Sequence, residues 1–318
     1  MPSLPGFITR YFKEEPKPPP ISTKTAVFLL VIYTVIYVVP FYLSSKTRPS
    51  ATLSRDAPSV IRARITSVSV ACAICSTITF VILTSQDRVT TAEAFHALGY
   101  WPIGLVEAGK CLLLTAILFA GPLYERLIVD EGWREWLALR PLSDLFAEWT
   151  TWRNIVAGPF TEEVLFRSAA VPLMIAAQTP VTTTIFLSPL VFGLSHLHHF
   201  YEFRITLPNV PASFLLMNSL FQLGFTTLFG AYATFLYLRS GSLLAIFAVH
   251  AFCNSMGPPR VWGRVLPETV LDDRGNSYRP SIMWTVVYYV VLVAGAYGWY
   301  VNLGSLTESS NALVAMKI

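Results

Sequence analysis

The chain has 318 residues, of which 53% are hydrophobic and only 13% are charged, and its mean hydropathy is +0.53. Soluble domains carry about a quarter charged residues, so a chain this long with so few charges cannot cover a globular surface with polar groups. The formal net charge of +4 is small, and no basic stripe is interleaved with aromatic residues, which argues against nucleic-acid binding. The composition therefore predicts an integral membrane protein.

Apolar runs long enough to be membrane-spanning helices follow one another along the chain. They cover approximately residues 25–45, 65–84, 105–123, 154–178, 181–200, 213–239, 242–257 and 281–303. We therefore predict an all-α integral membrane protein, a bundle of about eight transmembrane helices with interfacial amphipathic helices, in a single membrane domain over residues 1–318. The first run is not interpreted as a secretory signal, because it follows a proline-rich polar head and lacks a small-residue cleavage pattern.

The positively charged residues indicate the orientation in the membrane. Arginines are concentrated in the segments 46–64, 124–153 and 257–280, which the positive-inside rule places in the cytosol. The polar head argues for the opposite orientation, because it also carries Arg10, Lys13, Lys17 and Lys24. Segment 124–153 mixes acidic and basic side chains with tryptophans, which predicts helices that lie in the membrane interface.

The fourth apolar run contains the first concentration of ionisable groups. Such groups at membrane depth cost about 2.5–3.5 kcal/mol each on translocon scales and usually serve a function. Glu163 and Arg167 are four residues apart, so they share a helix face and can form an ion pair. Glu162 is rotated by about 100° from Glu163 and has no such partner. Glu162 is therefore the better candidate for chemistry, and two glutamates at a solvated helix end are the alternative.

The fifth run ends in a group of histidines. His196 lies deeper in the run than its neighbours, and Gly193 permits another helix to approach closely. His198 and His199 lie nearer the end of the run, where we interpret them as interfacial anchors. His196 is therefore the candidate for chemistry in this group.

The seventh run contains His250 and Asn254, which are four residues apart and share a helix face. Both can donate hydrogen bonds to one point, although a packed histidine is the alternative. With eight spans, Glu162, His196 and this pair fall at one depth on the side that we predict to be cytosolic.

This set of residue types suits peptide hydrolysis without a covalent nucleophile. A carboxylate and an imidazole can activate a water molecule, and a histidine with an asparagine can stabilise the oxyanion. Two histidines and a glutamate can also bind zinc. Because no H-E-x-x-H is present and the donors are spread over three runs, we predict no metal and no cofactor, and a zinc-dependent enzyme is the alternative.

These residues resemble the motifs of the type II CAAX prenyl endopeptidases, the Ras-converting enzyme family. The broader group of membrane proteases shows E-E-x-x-x-R, F-x-x-x-H and H-x-x-x-N or H-x-x-x-D in this order. The corresponding residues here are Glu162-Glu163…Arg167, Phe192…His196 and His250…Asn254. The resemblance is strong over about 150–262, which we take as the catalytic core, and weak elsewhere.

The resemblance implies a role for each motif residue. It assigns the activation of water to Glu162 and His196, and the oxyanion hole to His250 and Asn254. Structural support is implied for the remaining motif residues, Glu163, Arg167 and Phe192.

The resemblance also implies a substrate and a location. Such enzymes remove the last three residues from C-terminal C-a-a-X motifs once the cysteine is prenylated, and they lie in the endoplasmic reticulum membrane. The implied partners are prenylated CAAX proteins of the small GTPase type, and the implied active site faces the cytosol. Ser195 stands where alanine is common in the family, a substitution that we expect to be tolerated.

Two further alternatives belong to other functional classes. The first is a membrane protease of the same broad group that acts on unprenylated substrates. The second is a non-enzymatic membrane scaffold or transporter built on the same fold. A transporter should show repeat symmetry and broken helices near the midplane, and the sequence indicates neither.

Overall fold

The computed structural model describes residues 18–50, 52–85, 89–267 and 281–316. Within these ranges the chain is helical and contains no strand, which confirms the predicted all-α class. The charged head residues Arg10, Lys13 and Lys17 lie outside the described residues, so this structure adds nothing to their part in the orientation prediction.

The helices follow the chain with short connections between them. In chain order they are α1 (Thr23–Leu43), α2 (Pro58–Thr84), α3 (Thr91–Ala97), α4 (Leu105–Leu118), α5 (Ala120–Val129), α6 (Trp133–Leu137), α7 (Arg140–Ala147), α8 (149–176), α9 (Val181–Ser195), α10 (His198–Thr206), α11 (Ala212–Ser240), α12 (Leu243–Met256) and α13 (Ile282–Asn302).

Not all of the predicted spans are long, straight helices. Among the described residues, five segments are long and apolar enough to cross a membrane, namely α1, α2, α9 with α10, α11 and α13. The helices α4 and α5 make a sixth if they form one span, but they are bent by 80°. Helix α12 has 14 residues and is about 21 Å long, which is less than the roughly 30 Å of a hydrocarbon core. The structure thus supports five or six spans, and the predicted count of eight is not confirmed.

Local sequence signals set several helix boundaries. Ser22 caps α1 by accepting a hydrogen bond from the backbone of Thr25. Gly241 ends α11 with a φ of 57°, a left-handed conformation that glycine adopts without strain. Ser242 follows at once and caps α12 through the backbone N–H of Ala245. This two-residue connection packs α12 directly against α11.

Helix α8 lies in the centre of the bundle, where it packs against α2, α9, α11 and α12. Every residue from 163 to 174 is buried, including Glu163 and Arg167. The close contact between α9 and α11 that Gly193 predicted is present, because a β-carbon at Gly193 would collide with the hydroxyl of Thr227. The bundle therefore encloses α8 and its charged residues on several sides.

Segment 124–153 forms the end of α5, the short helices α6 and α7, and the start of α8. It contains no helix long enough to cross a membrane, as the sequence predicted. Several of its large apolar side chains are exposed: Trp133, Trp136, Leu137, Leu139 and Phe146. Their location in the membrane interface, and the boundaries of the single domain and of the catalytic core, stay predictions.

Candidate active site

Helix α8 is irregular around the two glutamates. The regular turn Gly158–Glu163 lies between two π-helical turns, Arg153–Ala157 and Val164–Ala169. Pro159 has no N–H and cannot make the regular hydrogen bond to the residue four positions earlier, which fits the wider turn before it. Because π-helical turns occur frequently at functional sites, this part of α8 is a candidate site on backbone geometry alone.

Glu163 is fully buried and has two hydrogen-bonding neighbours. Its Oε1 accepts hydrogen bonds from Nη1 of Arg167 at 2.9 Å and from Nδ1 of His250 at 2.6 Å. The guanidinium of Arg167 also stacks over the ring of Phe192, 4.5 Å from its centroid. The predicted ion pair between Glu163 and Arg167 is therefore present, and it ties α8 to α9 and α12.

The backbone leaves room for this guanidinium at Gly230 on α11. A β-carbon at Gly230 would lie 3.0 Å from Nη2 of Arg167 and 3.2 Å from the ring of Phe192. Nη2 of Arg167 and Oε2 of Glu163 are buried without a hydrogen-bond partner within the described part of the chain. The pair thus fills a tightly enclosed space.

Glu162 points away from Glu163, as the helical rotation predicted. Its side chain is 23% exposed and lines a cavity, whereas Glu163 does not reach it. Across the contact between α8 and α12, Nε2 of His250 lies 3.8 Å from Oε2 of Glu162. His250 therefore bridges the two glutamates across helices, and it lies behind Glu162 without lining the cavity. The sequence indicated that His250 and Asn254 could donate hydrogen bonds to one point. In the structure only Asn254 lines the cavity, because the packing between helices directs His250 towards the two glutamates.

His196 lies at the end of α9 with one ring nitrogen held. Its Nδ1 is 3.1 Å from the carbonyl oxygen of Phe192, which also accepts a hydrogen bond from Ser195 Oγ. A carbonyl oxygen only accepts, so Nδ1 carries the hydrogen and Nε2 has a free lone pair. The ring packs edge-on against Phe192, with centroids 4.9 Å apart. This packing fixes the direction of Nε2.

Glu162, His196 and Asn254 line one cavity of about 190 Å³, although they come from three different helices. Asn254 is held by a hydrogen bond from its Nδ2 to the carbonyl oxygen of Asn154 at 3.0 Å. A side-chain amide nitrogen has two hydrogens, so a second one can reach a ligand. The cavity thus combines a carboxylate, an imidazole and an amide donor.

A polar cluster completes another wall of this cavity. Glu202 is 1% exposed and accepts hydrogen bonds from Arg64 at 2.7 Å, from His199 at 3.1 Å and from Arg55 at 3.3 Å. His198 lies beside it, with Nδ1 2.8 Å from the hydroxyl of Tyr42. His198 and His199 stand in the first turn of α10 and line the cavity. Their interpretation as interfacial anchors stays a prediction.

His198, His199 and Glu202 lie close enough to one another, within 4.8 Å, to be compared with a metal site. Part of this donor set is already in use, because both oxygens of Glu202 face arginines and Nδ1 of His198 contacts Tyr42. Two arginines at this distance would repel a dication. The donor set does not fit a resident metal ion.

Arg55, Arg64 and Glu202 were not predicted as residues of this site. The two arginines were interpreted only as indicators of membrane orientation. Glu202 gave a usable signal, since it is a lone acidic residue directly after an apolar run. Its arginine partners lie 138 and 147 positions away, so only the fold could reveal the cluster.

Comparisons with known proteins identify the family of this chain. The family model described as type II CAAX prenyl endopeptidase Rce1-like matches residues 144–256, which contain all three motifs. "Probable CAAX prenyl protease 2" of Schizosaccharomyces pombe is 37% identical over 279 residues, which is 88% of this chain and 92% of that protein. "CAAX prenyl protease 2" of Arabidopsis thaliana is 33% identical over 75% of this chain and 81% of its own.

The human "CAAX prenyl protease 2" is 32% identical over 241 residues, which cover 72% of this chain and 71% of that protein. The comparison with solved structures found no match. The similarity to the fission yeast, plant and human proteins extends well beyond the motifs into the surrounding helices, and on this ground the chain belongs to the type II CAAX prenyl endopeptidase family.

Proposed function

We propose that this chain is an intramembrane endopeptidase that removes the C-terminal tripeptide from prenylated CAAX proteins. The observation that carries the proposal is the convergence of Glu162, His196 and Asn254 on one cavity. Relatives that align over most of the chain are named CAAX prenyl protease 2. The proposed substrates are proteins of the small GTPase type.

The proposed reaction begins with a water molecule between Glu162 and His196. Glu162 accepts a proton from the water while the oxygen attacks the scissile carbonyl carbon, and a tetrahedral oxyanion forms. The free lone pair on Nε2 of His196 orients the same water by accepting its other hydrogen. Collapse of the intermediate breaks the C–N bond, and the proton held by Glu162 passes to the leaving amine. Atoms and charges balance without a covalent intermediate.

Asn254 is the proposed donor to the oxyanion, because its amide lines the cavity and has a hydrogen to offer. The role that we propose for His250 differs from the one that the family resemblance implies. Its Nδ1 is bound to Glu163 and its Nε2 faces Glu162, so it is proposed as a positioning residue for the base. Glu163, Arg167 and Phe192 support His250 and His196 from behind.

The proposed substrate supports one orientation of the protein in the membrane. The prenyl chain stays in the bilayer while the peptide enters the cavity from the cytosolic side, where the arginine-rich segment 46–64 is predicted. The enzyme is proposed to reside in the endoplasmic reticulum membrane. The arginines of this segment that line the cavity, Arg55 and Arg64, fit a peptide entrance on this side.

The test compares two peptides and the purified protein in detergent. One peptide carries a farnesylated C-a-a-X sequence and the other the same sequence without the lipid. The proposal predicts release of the tripeptide from the farnesylated peptide only. Equal cleavage of both would support a protease for unprenylated substrates, and cleavage of neither would support a non-enzymatic scaffold.

The zinc-dependent alternative has its own test. Exhaustive chelation should leave the peptidase activity unchanged. Elemental analysis of the chelated protein should find no zinc. Loss of activity that zinc restores would show that a metal performs the role proposed here for Glu162 and His196.

A further inference from the structure

The lining of the cavity contains more arginines than carboxylates. Arg55, Arg64 and Arg153 all line it. Their acidic partners are Glu202 and Asp56. Glu162, the proposed base, is the one carboxylate among the lining residues, whereas Glu202 and Asp56 pair with the arginines without lining the cavity themselves. An enclosed positive charge of this kind attracts an anionic ligand.

Arg64 is fully engaged in the fold. Its Nη2 donates to Glu202 at 2.7 Å, its Nε donates to the carbonyl oxygen of Thr47, and its guanidinium lies over the ring of Phe41. Its side chain is only 13% exposed. Arg153 is likewise held, because it donates to Asp56 at 2.6 Å and to Asn154 at 2.9 Å.

Arg55 is the least engaged of the three arginines. Its contact with Glu202 is 3.3 Å long, and it shares Oε2 of that carboxylate with His199. Its side chain is 33% exposed, more than that of Arg64 or Arg153. Burial nevertheless lowers the pKa of Arg55 from its usual value, so the cation is less well solvated than in water. An incoming anion would stabilise it.

We propose that Arg55 binds the free α-carboxylate of the last residue of the substrate. This inference rests on the proposed function, since only a substrate cut near its C-terminus brings that carboxylate into the cavity. The departing tripeptide in extended form spans about 10 Å, and its far end carries the charge. A guanidinium presents two parallel N–H donors that match a carboxylate, which suits Arg55 to this contact.

A purely structural role for Arg55 is the competing explanation. Glu202 already has a close arginine in Arg64 and a histidine donor in His199, so it does not need Arg55 for neutralisation. A contact with the substrate's carboxylate would also explain the tripeptide product. An anchor at the C-terminus fixes how far the scissile bond lies from the end of the chain.

The experiment uses the full-length protein and two farnesylated peptides that differ only at the C-terminus, one a free acid and the other a primary amide. We expect the wild type to prefer the acid by about 10- to 100-fold in kcat/KM, as for a hydrogen bond to a charged group. Arg55→Gln should bring this ratio close to one, mainly through KM. Arg55→Lys, which keeps the cation but not the fork, should retain an intermediate ratio.

Arg48→Gln is the matched control, because Arg48 is exposed on the same loop and is absent from the residues that line the cavity. It should retain the wild-type ratio. A thermal melt in detergent checks the fold of each variant, and Arg55→Lys carries the test if Arg55→Gln does not fold.

The outcomes separate this inference from the function on which it rests. Equal cleavage of acid and amide by the wild type, or an unchanged ratio in folded Arg55→Gln, would overturn the role of Arg55 and leave the proteolysis standing. If Arg55→Lys preferred the acid over the amide as strongly as the wild type does, the contact through two parallel N–H donors would be overturned. Cleavage of neither peptide by the wild type would overturn the proposed function and this inference with it.

Discussion

Replacement of Arg167 by methionine would test the buried ion pair that supports the site. Arg167 and Glu163 are 1% and 0% exposed, and their charged atoms are 2.9 Å apart. Removal of one partner from such a pair leaves a buried charge and costs about 3–5 kcal/mol. His250 donates to the same oxygen of Glu163 and can offset part of this loss. We therefore expect Arg167→Met to lower the free energy of unfolding by about 3 kcal/mol, the lower end of that range.

The assay is equilibrium unfolding in mixed micelles, followed by tryptophan fluorescence. Arg134→Met is the matched control, because Arg134 forms an exposed pair with Glu131 at the same 2.9 Å distance. It should lose less than about 1 kcal/mol. The double variant Glu163→Gln/Arg167→Met should lose less than the sum of its single variants, with a coupling of roughly 0.5–3 kcal/mol. Equal losses for Arg167→Met and Arg134→Met, or strict additivity, would refute the reasoning.

Three further predictions concern single side chains around the cavity. Asn254→Ala should lower kcat by about 10²- to 10³-fold with little change in KM, as steady-state cleavage of a farnesylated peptide would show, because an oxyanion donor acts in the transition state. Gly193→Ala should lower the free energy of unfolding by about 1–3 kcal/mol in mixed micelles, because the new methyl group collides with Thr227. Ser195→Ala should cost only about 1 kcal/mol in the same unfolding assay, since it removes one hydrogen bond to Phe192.

The sequence predicted the local features of the site well. The four-residue spacing of Glu163 and Arg167 indicated their ion pair, and the rotation of Glu162 indicated that it points elsewhere. Both depend only on helix geometry, which sequence spacing determines. The close approach of α9 to α11 at Gly193 was also predicted, because a glycine has no β-carbon and lets another helix come near.

Contacts between helices were not predictable in this way. His250 shares a helix face with Asn254, yet packing places it between the two glutamates while Asn254 faces the cavity. The cluster at Glu202 joins α10 to Arg55 in the loop before α2 and to Arg64 on α2, which are 147 and 138 positions away in sequence. The predicted count of eight spans is not confirmed, because among the described residues a helix such as α12 is shorter than a bilayer and hydropathy does not show how a helix bends.

The most direct measurement of the central claim is cleavage of a farnesylated C-a-a-X peptide by purified Glu162→Gln. Glutamine fills the same space but cannot accept the proton from water, so kcat should fall by about 10²- to 10⁴-fold while the protein stays folded. Glu107→Gln on α4 is the control, since Glu107 contacts Ser309 and Asn311 and does not line the cavity, and it should cleave at the wild-type rate. Near-normal cleavage by folded Glu162→Gln would contradict the account.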